Sequence, residues 1–234
     1  MVGPPPTSST LQRPERPSPG QPGPGRPGPH RLRDHWQWRP DWAVDRACLL
    51  WYLTFEDVPT LAPHVERAQA RLRGTDCLDV VPLRWLHLTL DDVGFVDELA
   101  PGQAEEAVRV ARAAVSGWVP PRLTLGPLVA MEDSVVLGAG PVAELTGLRD
   151  RLRTATASLG EPFATSRLDG FWPHVTVAYL NRDCDPAQVL APAQPEGGTA
   201  GEPVLVMPRL TLAAVTRRDR HYQWTACAQL PLGR

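Results

Sequence analysis

The sequence predicts an α+β protein of two similar lobes, each built from a strand, a helix and a second strand. Two segments, 85–90 and 172–177, share the pattern Trp-x-His-aliphatic-Thr-aliphatic, and their histidines lie 87 positions apart. Alanine-rich segments upstream agree at the same offset, with Ala68, Ala70 and Leu72 corresponding to Ala155, Ala157 and Leu159. A strand-helix-strand order that occurs twice, with extra strands, favours two lobes over a doubly wound parallel sheet.

The individual elements are predicted from hydrophobic periodicity and from turn residues. In the first half, an apolar run at 47–55 predicts a strand and an amphipathic pattern at 61–73 predicts a helix that Gly74 ends. The first motif then lies on a strand at 84–92. The other predicted elements are helices at 98–118 and 142–159, strands at 120–130, 134–137 and 171–180, a loop with at most a short helix at 183–203, and a closing hairpin of strands at 204–215 and 222–230 around Arg217-Arg218-Asp219-Arg220.

The first 40 residues have a different composition from the rest of the chain. Proline, glycine, serine and arginine dominate this segment, and apolar side chains are almost absent. Such a segment buries too little surface to offset its ordering entropy. We therefore expect a disordered tail at 1–40, which includes His30 and His35, and a folded domain at 41–234. The tryptophans Trp36, Trp38 and Trp42 are expected to cover an edge of the core rather than to stack bases.

The composition predicts a soluble, cytoplasmic protein. The net charge is −2, so no global basic field is available to hold long nucleic acid. The four cysteines contain no Cys-x-x-Cys pair, which argues against a zinc site or a disulfide scaffold and suits a reducing compartment. No apolar run approaches the roughly 18 residues of a membrane span, and the N-terminus does not resemble a signal peptide. We expect no membrane association, no cofactor and no bound metal.

Each motif separates a polar face from an apolar face. Because side chains alternate along a strand, His87 and Thr89 point to one side and the flanking leucines to the other. His174 and Thr176 are related in the same way. Two such faces brought together by a pseudo-twofold axis would surround one small anion with two imidazoles and two hydroxyls. Imidazole can act as an acid or as a base near neutral pH, and threonine hydroxyls can hold phosphate oxygens.

The alternation also places Trp85 and Trp172 on the same face as the histidines. They are therefore candidates for the walls of a cleft or for stacking on a base. A histidine-based metal site is disfavoured, because no carboxylate or cysteine stands at a useful spacing near either motif.

The chain resembles the two-histidine (2H) phosphoesterase superfamily, the LigT-like proteins often labelled 2′-5′ RNA ligases or RNA cyclic phosphodiesterases, over residues 42–234. The resemblance rests on segment 86–90 followed by Val93-Gly94, on segment 173–177, and on a closing strand that holds Tyr222 and Trp224. It implies a bilobal fold with antiparallel sheets and a cleft between the two motifs. It also implies metal-free chemistry by His87 and His174 on 2′,3′-cyclic phosphates or 2′-5′ phosphodiesters, with Thr89 and Thr176 on the phosphate and Tyr222 near the site.

Departures from the family pattern leave the substrate open. Asp91 and Asp92 follow the first motif, where relatives often carry apolar or aromatic residues, and Tyr179 stands near a position that is basic in many relatives. If Asp91 lies on the motif face, its charge would repel a long RNA backbone. Compensating positive charge could come from Arg84, from Arg167 or from the hairpin at 217–221, whose charges are otherwise solvated.

Two functions follow from the sequence. The first is a phosphoesterase acting on a small nucleotide or on an RNA terminus with a cyclic phosphate. The second is a non-catalytic module that binds phosphate or RNA ends in the same cleft. No obligate protein partner is evident, and the sequence does not decide which histidine is the acid and which the base.

Overall fold

The computed structural model describes residues 31–37, 42–43, 45–160, 163, 171–193 and 204–233. Within these residues the chain forms nine strands and four α-helices: β1 Cys48–Thr54, α1 Leu61–Arg71, β2 Leu78–Val80, β3 His87–Phe95, α2 Gln103–Val115, β4 Arg122–Ala130, β5 Ser134–Gly140, α3 Val142–Ala157, β6 His174–Leu180, α4 Pro186–Ala193, β7 Leu205–Val206, β8 Arg209–Arg218 and β9 His221–Pro231. Short 3-10 turns at Leu83–Trp85 and Val96–Glu98 flank β3.

The strands form two antiparallel sheets. One has the order β3-β1-β8-β9 and the other the order β2-β6-β5-β4-β7. The first motif lies on β3, at one end of the first sheet, and the second motif lies on β6, between β2 and β5 in the second sheet. Because β3 and β6 contact each other, the two motif strands meet where the sheets adjoin. The predicted α+β architecture with antiparallel sheets is confirmed.

The helices cross between the two halves. Helix α1 follows a strand of the first sheet but contacts β6, and α3 contacts both β5 and β3. Gln69 on α1 shows the link, because its Nε2 donates to the carbonyl oxygens of Val81 at 2.8 Å and Val177 at 3.0 Å. Each motif strand is therefore supported by the helix of the other half. In the described part of the chain, no helix is both long and apolar enough to cross a bilayer.

Several element boundaries differ from the prediction. The motif strands begin at His87 and His174, later than predicted, because a 3-10 turn precedes the first and Pro173 precedes the second. Helix α2 begins at Gln103, after a second 3-10 turn and after Gly102, whose φ is 83°. The closing hairpin turns at only two residues, since Arg218 pairs with His221.

The segment 31–37 belongs to the folded part rather than to a tail. Leu32 is fully buried and forms an isolated bridge with Cys184, whose Sγ lies 2.6 Å from that of Cys77. His35 is only 8% exposed. The folded part therefore begins before residue 41. These few side chains bury enough surface to hold a short segment in place, although the average composition of residues 1–40 predicts disorder. Residues 1–30 and 38–40 of the predicted tail, with Trp38 among them, lie outside the described residues.

Candidate active site

His87 and His174 are anchored in the same way at the starts of their strands. Nδ1 of His87 lies 2.7 Å from the carbonyl oxygen of Trp85, and Nδ1 of His174 lies 2.8 Å from that of Trp172. A carbonyl oxygen only accepts, so Nδ1 carries the proton and donates it in each neutral ring. Both neutral imidazoles therefore keep a lone pair on Nε2, the nitrogen through which a proton can be taken up or released.

An aromatic ring covers one face of each imidazole. His87 stacks on Tyr52 of β1, with ring centroids 4.0 Å apart and an angle of 11° between the planes. His174 stacks on Trp172, with centroids 5.4 Å apart and an angle of 22°. Gly138 pairs with His174 across β5 and β6, and a Cβ at that position would lie 3.0 Å from the Trp172 ring. The glycine therefore makes the room in which Trp172 can lie beside the histidine.

The two motif threonines each have a hydrogen bond with a buried tyrosine. Tyr52, directly across from Thr89 in the β1–β3 register, bonds Thr89, and Tyr179 bonds Thr176. Burial, as the largest cause, raises the pKa of both phenols, so both stay protonated at neutral pH. The threonine interaction acts against burial and lowers the pKa of each phenol.

A bulge in each motif strand decides which later residues share the threonine face. The pairs that reveal the bulges are Tyr52 with Thr89 and Trp51 with Asp91 in β3, and Val136 with Thr176 and Val135 with Ala178 in β6. Leu90 and Val177 are the extra residues, and they lie 87 positions apart like the histidines. An extra residue reverses the alternation that follows. Tyr179 thereby shares the face of Thr176.

The first bulge also turns Asp91 away from the motif face, where it would have opposed an RNA backbone. Asp91 is 5% exposed, and its carboxylate lies 3.9 Å from Nε of Arg149 and 3.5 Å from Nε of Arg153, both on α3. Burial raises the pKa of Asp91 to about 7, although the arginines, Arg153 foremost, act in the other direction. Asp91 therefore links β3 to α3 and is not a residue of the motif face.

Burial also dominates the titration of the histidines. It lowers the pKa of His87 to about 4, with a further lowering by the charge of His174. The pKa of His174 is lowered by burial too, while the charge of Asp133 opposes the change. The mutual effect means that protonating one imidazole disfavours protonating the other. Both rings are neutral at pH 7 in the unliganded protein, and a bound phosphate anion would raise both pKa values.

The remaining predicted site residues lie in different surroundings. Trp85 lies in the 3-10 turn before β3, so strand alternation does not apply to it, and it packs edge-on against Trp224 with ring centroids 6.2 Å apart. Arg84 is exposed and lies over the Trp85 ring, 5.2 Å from its centroid. The hydroxyl of Tyr222 lies 3.0 Å from Nε2 of His35, within hydrogen-bond distance. Arg167 lies outside the described residues.

Sequence reasoning missed the residues that support the motifs from other elements. Tyr52 carried no signal beyond belonging to an aromatic strand, and Tyr179 could be placed only with knowledge of the bulge. The sequence predicts His35 in the tail, yet its Nδ1 lies 2.9 Å from Oδ2 of Asp133. Among the described residues, no group of three or more His, Cys, Asp or Glu side chains is arranged to hold a metal ion.

Comparisons with known proteins show the family of this chain. The family model of the 2′-5′ RNA ligase superfamily matches residues 58–203. Among solved structures, TT0787 of Thermus thermophilus is similar, with a TM-score of 0.58 and 17% identity over 80% of this chain and 98% of that chain. LigT of E. coli is similar in complexes with 3′-AMP and with phosphate, both with a TM-score of 0.58, at 18% and 17% identity, over 81% of this chain and 99% of that chain.

These solved structures agree with this chain in fold. A search of curated proteins found no match. Since the family model covers more than half of the sequence, the chain belongs to the 2′-5′ RNA ligase superfamily, the LigT-like two-histidine phosphoesterases.

Proposed function

We propose that the protein is a phosphoesterase that opens 2′,3′-cyclic phosphates or cleaves 2′-5′ phosphodiesters at RNA ends or in nucleotides, by acid–base catalysis with His87 and His174. The observation that carries the proposal is the shared anchoring of the two imidazoles. Each is held by Nδ1 on a backbone carbonyl, so each presents Nε2 for proton transfer, on two strands that contact each other. The proposed reaction uses no metal and no organic cofactor.

The reaction is an in-line displacement at phosphorus. One neutral imidazole takes a proton from the attacking water, whose oxygen forms the new bond to phosphorus. The other imidazole, protonated, gives its proton to the ribose oxygen as the bond from that oxygen to phosphorus breaks. The hydroxyls of Thr89 and Thr176 donate to the non-bridging oxygens, on which charge accumulates. The ligation direction uses the same steps with the roles of the histidines exchanged.

Substrate binding itself supplies the acid in this scheme. Both imidazoles are neutral in the free protein at pH 7, because burial lowers the pKa of each. A phosphodiester anion between them favours a protonated ring, so the complex takes up the proton that the free site lacks. The protein therefore avoids burying a charged imidazole until a compensating negative charge is present.

A small substrate or a strand end suits the charge of the chain. The net charge of −2 offers no broad positive field for a long backbone, so the phosphate must be held locally. The E. coli LigT structures with 3′-AMP and with phosphate support a ligand of this size. Trp172, beside His174, offers a ring on which the base of a nucleotide could stack.

The test is turnover of 2′,3′-cyclic nucleotides and of an oligonucleotide with a cyclic-phosphate end, in EDTA. His87→Ala and His174→Ala are compared with wild type, and His64→Ala on α1 is the matched histidine control. We expect wild-type and control turnover in EDTA, and a loss of at least about 100-fold in each motif variant.

Other outcomes contradict the proposal in different ways. Turnover that survives either motif substitution would exclude the paired-histidine mechanism. Activity that EDTA abolishes would point to a metal. Binding of the nucleotide without turnover by wild type would favour a non-catalytic module that binds phosphate or RNA ends.

A further inference from the structure

His35 is a buried histidine with polar partners on both ring nitrogens. Nδ1 lies 2.9 Å from Oδ2 of Asp133, in the turn between β4 and β5, and Nε2 lies 3.0 Å from the hydroxyl of Tyr222 on β9. The carboxylate accepts, so Nδ1 carries the proton of the neutral ring. Nε2 then accepts from the Tyr222 hydroxyl. One imidazole thus joins the second sheet to the first.

The ring of His35 also covers a residue that supports the second motif. Its centroid lies 4.4 Å from that of Tyr179, and Tyr222 approaches Tyr179 edge-on with centroids 5.5 Å apart. Tyr179 is the tyrosine whose hydroxyl bonds Thr176. The rings of His35 and Tyr222 therefore fix the position from which Tyr179 holds the threonine.

Backbone bonds fasten the segment that carries His35. The amide of His35 donates to the carbonyl of Leu180 at 3.0 Å, at the end of the second motif strand, and the amide of Arg33 donates to that of Glu132 at 2.8 Å. Nη2 of Arg217 donates to the carbonyl oxygen of His35 at 3.1 Å. This segment precedes the region that the family model matches, which starts at residue 58. The bonds therefore hold His35 beside the end of the second motif strand.

We propose that His35 is a positioning residue for the second motif, acting through Tyr179 and Tyr222 on the hydroxyl of Thr176. The inference rests on the proposed function for its kinetic consequence. Without the imidazole, the Tyr179 ring loses a packed neighbour and the Tyr222 hydroxyl loses the acceptor Nε2 of His35. The threonine hydroxyl then samples orientations that do not meet the phosphate oxygen, which lowers the rate more than it lowers ground-state binding.

A double-substitution cycle separates positioning from general destabilisation. His35→Ala is combined with Thr176→Ala, and kcat and KM are measured with a 2′,3′-cyclic nucleotide. We expect His35→Ala to lower kcat about 10-fold with KM changed less than about 3-fold, and to have no further effect when Thr176 is already alanine. His64→Ala serves as the histidine control and is expected to match wild type.

The opposite results overturn the inference. An equal loss of kcat in both backgrounds means that His35 does not act through Thr176, and an unchanged kcat in His35→Ala means that it does not act at all. Should His35→Ala fail to fold, Tyr222→Phe carries the same cycle, because it removes only the hydroxyl that bonds His35. If wild type shows no turnover, the proposed function has failed, and affinity for inorganic phosphate in the same four proteins tests the positioning separately.

Discussion

The buried carboxyl of Asp91 makes stability depend on pH in a definite direction. Its pKa is raised from 3.8 to about 7 in the folded protein, chiefly by burial. A raised pKa means that the folded state binds the proton more tightly than the unfolded state does. The contribution of this group to stability is therefore fully present below pH 3.8 and is lost as the pH rises towards 7. At about 1.4 kcal/mol per pKa unit, holding the ionised carboxylate costs about 4 kcal/mol above pH 7.

Asp91→Asn tests this magnitude, since asparagine resembles the protonated carboxyl at every pH. Urea unfolding at pH 8 should find the variant more stable than wild type by about 4 kcal/mol. At pH 5 only part of the penalty has developed, and the gap should shrink to about 1.5 kcal/mol. Glu56→Gln, a change at an exposed carboxyl, is the matched control and should shift stability by less than about 0.5 kcal/mol at either pH.

A destabilising effect of Asp91→Asn would contradict this expectation. If Asp91→Asn is less stable than wild type at pH 8, attraction to Arg149 and Arg153 outweighs the desolvation of the carboxylate. The long separations, 3.9 and 3.5 Å from guanidinium Nε to carboxylate oxygen, are the reason to expect that it does not. One carboxylate oxygen, Oδ1, makes no hydrogen bond to any described residue, which adds to the penalty for ionisation.

Two further predictions concern the active site itself. The profile of kcat/KM against pH should be bell-shaped with both limbs below pH 6.5, because burial lowers the pKa of His87 to about 4 and also lowers the pKa of His174. The profile of kcat should lie at higher pH, because bound phosphate raises both pKa values. A kcat/KM that still rises above pH 7 would contradict this. Gly138→Ala should displace Trp172, whose ring lies 3.0 Å from the added Cβ, and lower kcat/KM about 10-fold with a change in tryptophan fluorescence. Gly126→Ala is the control, since its nearest contact is 3.6 Å, and an equal effect there would exclude a specific role for the Trp172 position.

The sequence predicted what depends on local periodicity and on the repeat. The two lobes follow from the repeat, and most elements follow from hydrophobic periodicity. The polar face of each motif follows from alternation over the three residues from histidine to threonine, which lie before the bulge. Beyond Thr89 and Thr176 the alternation fails, because a bulge depends on how two strands are registered. Strict alternation would put Asp91 on the face of Thr89, whereas the bulge puts it on the other face. Alternation does not apply to Trp85 either, because it lies in the 3-10 turn before the strand.

His35 marks a second limit of sequence reasoning. Its surroundings are rich in proline and arginine, and an average over 40 residues predicts disorder. The contacts that bury it come from Asp133 and Tyr222, which are 98 and 187 positions away. A few apolar and aromatic residues suffice to hold a short segment when such partners are already in position. The local sequence around His35 contains no pattern that predicts these distant partners.

The repeat is kept more strictly in the motifs than in what supports them. The histidine anchors, the threonines and the bulges at Leu90 and Val177 recur 87 positions apart. In the first half Tyr52 performs two tasks, because it stacks on His87 and bonds its threonine. In the second half Trp172 and Tyr179 divide those tasks, and the charge of Asp133 acts on His174. The two imidazoles are therefore anchored in the same way but have different neighbours, while burial lowers the pKa of both.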